Sequence, residues 1–136
     1  MTHYVFDSSA VIRYLDDEAG AERVDPIVRE CVAGRVQISV SAIQWGEVAG
    51  NIRKRFGALR ELQAMNGLLA SGIEIVPVSG EQAVRAADLK VDRKISYADA
   101  FALDLAMQPS NPILVTADYG FKAVDNLAKI EFLPVK

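Results

Sequence analysis

The chain is expected to fold as one α/β domain, a mainly parallel central sheet flanked by helices in three layers. Three observations predict this. Short β-prone runs (Tyr4 to Phe6, Val36 to Val40, Ile73 to Val78, Ile113 to Thr116, Ile130 to Leu133) alternate with segments of helical period. That pattern gives parallel strands joined by crossover helices. Second, Ile113-Leu114-Val115-Thr116 is an unbroken apolar run, as expected for a strand buried on both faces. Third, 136 residues with 51% hydrophobic and 24% charged side chains suit one domain with a real core and are too few for two. There is no internal repeat, low-complexity segment or linker.

The stretch Tyr4-Val5-Phe6-Asp7-Ser8-Ser9 organises the rest. Its first half is strand one, Asp7 stands where the strand should stop, and Ser8 or Ser9 is the expected N-cap of the next helix. Val11, Ile12 and Leu15 give that helix its apolar side. It is expected to end near Asp16-Asp17-Glu18, whose charges oppose the helix dipole. Asp25-Pro26 reads as N-cap plus first residue of a second helix, with Ile27, Val28, Cys31 and Val32 inward and Gly34 as the stop.

Val36 to Val40 alternates and is strand two. Ser41-Ala42-Ile43-Gln44 reads as a capping box opening a helix with Trp45, Val48, Ala49, Ile52 and Phe56 as its stripe. Arg53-Lys54-Arg55 suits its C-terminal end, and Gly57 breaks it. Leu59, Leu62, Met65 and Leu69 mark the next helix, closed by Ser71-Gly72. In strand three, Pro77 indicates a sheet edge or a strand end. Ser79 to Gln82 reads as a second capping box, before a helix with Ala83, Val84, Ala87 and Val91 as its apolar side. Ser96-Tyr97-Ala98-Asp99 is a third such start, and the helix after it, Ala100 to Met107, is apolar nearly all round and belongs inside. Ala117 to Gly120 is a loop, a short helix spans roughly Phe121 to Leu127, and a last strand follows.

Net charge is −3, which does not favour a general nucleic-acid binder, although local basic patches can hold a phosphate backbone. No apolar run has the length of a membrane span, and no basic segment precedes an apolar core as in a signal peptide. The lone Cys31 has no partner for an internal disulfide and reads as a core residue. A reducing cytoplasm is the expected location, with no membrane association.

Four carboxylates stand out: Asp7, Glu47, Asp99 and Asp118. In an open α/β sheet, ligands bind beyond the carboxyl ends of strands where the strand order reverses. Asp7 is expected there, with the later acids reaching it through the fold. Each acid also has a plain explanation. Asp7 could cap the first helix. Glu47 falls opposite the Trp45–Val48–Ile52 stripe and reads as solvated, although Gly46 and Gly50 beside it would let another segment approach. Asp99 occupies the first turn of a buried-looking helix; it could be the third residue of a capping box, but buried carboxylates seldom lack a partner or a metal. Asp118 follows a buried strand, where functional residues and turn caps both gather. Asp104 is a secondary polar group without an assigned role. A Ser-His-Asp triad would need His3, the only histidine. There is no Gly-rich phosphate loop, Cys/His zinc spacing or nucleophile elbow. The remaining chemistry is an acid cluster with oxygen ligands, which suits Mg²⁺ or Mn²⁺.

Asp7-Ser8-Ser9-Ala10, Ser41 to Val48, Ser96 to Ala100 and Thr116-Ala117-Asp118, in this order and on these elements, resemble the PIN-domain ribonucleases, and among them the VapC toxins of toxin–antitoxin pairs. The likeness covers almost the whole chain. It implies a PIN-like nuclease domain over residues 1–136 and an Mg²⁺-dependent endoribonuclease, with Mn²⁺ able to substitute. It implies Asp7, Glu47, Asp99 and Asp118 as catalytic and metal-binding acids, with Ser8 and Thr116 as supporting hydroxyls. It further implies an RNA substrate, a small VapB-like antitoxin that masks the site, and a homodimer. Gly120 departs from the family pattern, which often has an acid there; this puts a second metal in doubt. Arg53, Lys54, Arg55, Arg93, Lys94 and Lys122 are candidates for holding RNA phosphates, or form a solvated positive fringe. Two other classes compete: a phosphoacceptor signalling domain, which normally carries paired acids after strand one where this chain has Ser8-Ser9, and a non-catalytic interaction module of the same fold.

Overall fold

Five strands, β1 (Thr2–Phe6), β2 (Val36–Ser41), β3 (Glu74–Val76), β4 (Ile113–Thr116) and β5 (Lys129–Phe132), form one sheet in the order β3-β2-β1-β4-β5. Every neighbouring pair is parallel. The computed structural model describes residues 1–135. The chain steps outward from β1 to β2 and β3, then returns to lay β4 on the other side of β1. The strand order therefore reverses between β1 and β4, and a crevice at their carboxyl ends is the usual ligand site of such sheets. Register pairs Phe6 with Val115, so Asp7 and Thr116 emerge side by side at that point.

The helices are α1 (Ser8–Asp16), α2 (Ala21–Val32), α3 (Ala42–Phe56), α4 (Ala58–Ala70), α5 (Gly80–Arg93) and α6 (Tyr97–Ala106), with a 3₁₀ segment over Tyr119–Val124. One apolar cluster joins Phe6, Ile38 and Val40 of the sheet to Val11, Val24 and Val48 of the helices. A second joins Val5 and Leu114 to Leu103, Phe121 and Val124. α6 is buried on nearly every side, as its all-round apolar sequence requires. Cys31 is a free, buried thiol within the first cluster. β3 is an edge strand ending at Val76, immediately before Pro77. No helix among the described residues is long and apolar enough to cross a membrane.

Several local expectations are corrected. The N-cap of α1 is Asp7 itself, not Ser8 or Ser9: its side chain accepts from the Ala10 N–H. α2 begins at Ala21, after Gly20 in the left-handed region, and Pro26 lies inside it rather than at its start. Gly20 has no room for a side chain, because a Cβ there would meet Leu133 Cβ at 2.8 Å. Of the stripe predicted for α4, Leu59, Leu62 and Leu69 are exposed, and only Met65 packs inward, beside Leu68 and Ala64. α5 likewise turns Gln82 and Ala86 inward and leaves Val84 and Val91 exposed. The helix expected around Phe121 to Leu127 is the 3₁₀ segment, capped by Asp118.

Candidate active site

Asp7 is almost wholly buried at the β1–β4 crevice, and its carboxylate is surrounded by donors. Oδ1 accepts from the Ser9 hydroxyl at 2.7 Å and the Ala10 N–H at 2.9 Å. Oδ2 accepts from the Thr116 hydroxyl at 2.6 Å. A carboxylate offers about four lone-pair sites over its two oxygens. Oδ1 is thus saturated, while Oδ2 keeps one direction free for a further partner. Burial raises the Asp7 carboxyl to about 6; the bonds from Thr116, Ser9 and Ala10 oppose the rise, and the charge on Asp99 adds to it.

The same hydroxyls fix the β4 side of the crevice. Thr116 Oγ1 accepts from the Asp118 N–H at 2.9 Å, and Ser9 Oγ accepts from the Ala117 N–H at 2.8 Å. Thr116 therefore stands where the family likeness put a supporting hydroxyl. The second hydroxyl in the network is Ser9's; Ser8 enters through its backbone N–H, which donates to Gln44 Oε1 at 2.6 Å. Asp118 Oδ1 accepts from the Gly120 N–H at 2.8 Å. A Cβ at Gly120 would stand 3.0 Å from that oxygen, so the glycine lets the acid fold back onto the turn.

Asp99 is half-buried in the first turn of α6, where Ser96 caps its N–H at 3.1 Å. Its carboxyl is raised, first by burial; bonds from Ser96 and Gln44 hold it down, while the charges of Asp118 and Glu47 push it up. Asp99 thus feels Asp118 and Glu47, and Asp7 feels Asp99. The four sequence-predicted acids occupy one electrostatic neighbourhood, drawn from four separate elements. Glu47 and Asp118 are its exposed members. Gly46 and Gly50 admit no second segment of the chain: a Cβ at either would meet nothing within 4 Å. That face of α3 is open.

These acids offer oxygen donors and negative charge, which fits a hard divalent cation in kind. Among the described residues, no three His, Cys, Asp or Glu side chains converge closely enough to hold a metal between them.

One polar side chain that sequence reasoning passed over is central here. Gln44, taken for a capping-box residue, is fully buried and also donates to the Ala98 carbonyl at 2.7 Å. Ser41 caps α3 alone, accepting from the Ile43 N–H. Asp104 accepts a two-pronged bond from Arg85 at 2.9 and 3.1 Å. It faces away from the acid group and fastens α6 to α5.

His3 does meet a serine and an acid, but not in the order of a hydrolase: its Nε2 lies 2.8 Å from Ser39 Oγ, and Glu74 lies 3.3 Å from that same hydroxyl. In a triad the acid orients the histidine rather than contacting the serine, and Ser39 is buried as well. Among the basic candidates, Arg53 pairs with Glu61 at 3.2 Å, Arg55 with Asp16 at 2.7 Å, and Lys122 lies over the Phe132 ring at 4.2 Å.

No curated protein matches the chain in sequence. Among solved structures, it is similar to the VapBC2 complex of Rickettsia felis bound to a promoter DNA fragment, with TM-score 0.74 and 16% identity over 98% of this chain and 100% of that one. It is also similar to VapC20 of Mycobacterium tuberculosis, a sarcin-ricin-loop-cleaving toxin, with TM-score 0.70 and 18% identity over 96% and 99%. A toxin–antitoxin complex from Klebsiella pneumoniae gives TM-score 0.65 and 24% identity over 87% and 89%. These likenesses concern the fold. The family model of the PIN domain matches residues 4–127, nearly the whole chain, and the protein therefore belongs to the PIN-domain family.

Proposed function

We propose that this chain is a metal-dependent endoribonuclease, the toxin of a VapBC-type toxin–antitoxin pair in the cytoplasm. The observation that carries the reading is the buried Asp7 carboxylate at the strand-order reversal, held by three donors with Oδ2 open to one more, and electrically linked to Asp99 and through it to Asp118 and Glu47. Asp7 Oδ2 and the carboxylates of Asp99, Glu47 and Asp118 would hold Mg²⁺, or Mn²⁺ in its place. When bound, such an ion supplies Lewis acidity toward a phosphate oxygen and lowers the pKa of a bound water. Thr116 and Ser9 hold Asp7 in one orientation. Exposed Asp118 would complete that shell or orient the attacking water, and exposed Glu47 would join it from the open face of α3.

A protein partner is supported by the exposed apolar side chains Phe56, Leu59 and Leu62 near the α3–α4 junction, since exposed apolar surface can mark an interaction site. We assign that role to a small antitoxin and expect the toxin to form a homodimer. The rival interaction-module reading draws on the lack of a ready-made three-acid cage among the described residues. One experiment separates them. Purified, partner-free protein is incubated with RNA in Mg²⁺, Mn²⁺ or EDTA, and the new RNA ends are sequenced. Cleavage should require the metal and vanish in soluble Asp7→Asn and Asp99→Asn, and expression of the parent alone should slow growth. Undiminished cleavage or toxicity by Asp99→Asn would sink the nuclease reading.

A further inference from the structure

We infer that Gln44 is a positioning residue, whose buried side-chain amide ties the start of α1 to the start of α6 and so sets the spacing of Asp7 and Asp99. This rests on the nuclease reading above. Gln44 is fully buried in the first turn of α3. Its Oε1 accepts from the Ser8 N–H at 2.6 Å, and its Nε2 donates to the Ala98 carbonyl at 2.7 Å. Those partners are 36 and 54 residues away in the chain. Ser8 follows Asp7 and Ala98 precedes Asp99, so one planar amide spans the two acid-bearing backbones.

The chemistry at the two ends is opposite. One partner must find an acceptor and the other a donor, with a fixed distance between them. Gln carries both functions in one planar amide; Asn is a methylene shorter, and a neutral His ring sets its donor and acceptor at a different spacing. Methionine would fill the space but leave the part-buried Ser8 N–H, an orphan donor at the start of α1, without this partner, and would strip the Ala98 carbonyl of its bond to α3. Glutamate would keep the acceptor and set a like charge beside the Ala98 carbonyl and Asp99. At the fourth position of a capping box, the Gln44 side chain would be expected to return to the Ser41 N–H. It crosses to two other helices instead, and Ser41 caps α3 without its help.

A residue that only stabilises the fold can be replaced without consequence for chemistry once the protein is folded. A positioning residue cannot, because outer partners of metal-binding groups are commonly worth about 10- to 100-fold in metal affinity or activity, and a misplacement of about 1 Å can cost about 100-fold in rate. Gln44→Met and Gln44→Asn should be compared with the parent well below all three melting temperatures. Mn²⁺ affinity is measured by calorimetry, and kcat and KM by RNA cleavage. Both variants should bind Mn²⁺ about 10- to 100-fold more weakly and lose about 100-fold in kcat, with KM changed little. Gln44→Asn keeps one of the two bonds, so it carries the test if Gln44→Met does not fold. Mn²⁺ affinity and kcat within twofold of the parent in a folded variant would overturn the assignment, as would a parent without Mn²⁺ affinity. Asp7→Asn runs alongside: if it cleaves as the parent does, the nuclease reading fails, while the Mn²⁺ affinities of the Gln44 variants still decide the positioning role.

Discussion

Asp7 combines two duties that the sequence presents as alternatives. It caps α1 through Ala10 and holds the most strongly perturbed carboxyl described here. Its pKa rises from 3.8 to about 6, so the folded state binds this proton more tightly than the unfolded state does. The protonated form is present in both states below pH 3.8. As pH climbs from there through 6, the unfolded state loses the proton first and the native state falls in relative stability, by about 3 kcal/mol at full ionisation. Asp7→Asn removes that charge. In EDTA, urea titrations should show the variant gaining on the parent between pH 4.5 and 7.5; a pH-independent difference would refute a raised Asp7 carboxyl. The neighbouring serines give a sharper contrast. Ser9→Ala removes a donor to Asp7 and an acceptor for the Ala117 N–H, and should cost about 1–3 kcal/mol. Ser8→Ala leaves its backbone bond to Gln44 intact and should stay within about 0.5 kcal/mol. Equal effects in thermal melts would mean that the hydroxyl network has been misassigned. Sequence could not choose between adjacent serines, because the choice is made by β4 residues more than 100 positions later.

At the scale of elements, alternation and periodicity located every strand and most helices. They failed where a helix has more than one apolar line. In α4 the predicted line of Leu59, Leu62, Met65 and Leu69 kept only Met65 on the core side, where Leu68 and Ala64 join it. Periodicity reports that a face is apolar; it does not report which face a neighbour covers. Buried polar side chains were the other gap, since Gln44 and Asp104 take their meaning from partners on other elements. Asp104 makes a test at this scale. It is buried, and Arg85, half-exposed, is its bidentate partner across α5 and α6. Arg85→Ala should leave a buried carboxylate without its ion-pair partner and lower stability, by less than breaking a fully buried pair would, because water reaches the guanidinium. Arg85→Met with Asp104→Leu should recover most of that loss, since an apolar pair of similar volume replaces an ion pair at little cost. A double variant no more stable than Arg85→Ala in urea titrations would show that the pair is not what holds α5 to α6.

For the whole molecule, folding concentrates negative charge that the chain keeps apart. Asp7, Glu47, Asp99 and Asp118 lie on four elements, and the strand-order reversal brings their fields together. Asp99 bears most of the consequence: its carboxyl is raised by burial and by the charges of Asp118 and Glu47. On the proposed nuclease reading the metal-free fold is therefore held below the stability its core would give it, and a divalent cation bound among these acids would reverse the sign of that contribution. A ligand at about a hundred times its dissociation constant adds about 2.7 kcal/mol, and one kcal/mol moves the melting temperature of a domain near this size by roughly 2–8 °C. Saturating Mn²⁺ should accordingly raise the melting temperature well beyond measurement error. Asp99→Asn should act in two opposite senses. In EDTA it should melt higher than the parent, because a half-buried charge facing like charges has gone while the Ser96 cap on its backbone N–H remains. In Mn²⁺ its gain should be smaller than the parent's, because a ligand has gone as well. Thermal melts of both proteins in both conditions give the four numbers needed. A variant that melts lower than the parent in EDTA, with an undiminished Mn²⁺ shift, would make Asp99 part of a helix cap and remove the residue through which the four acids are joined.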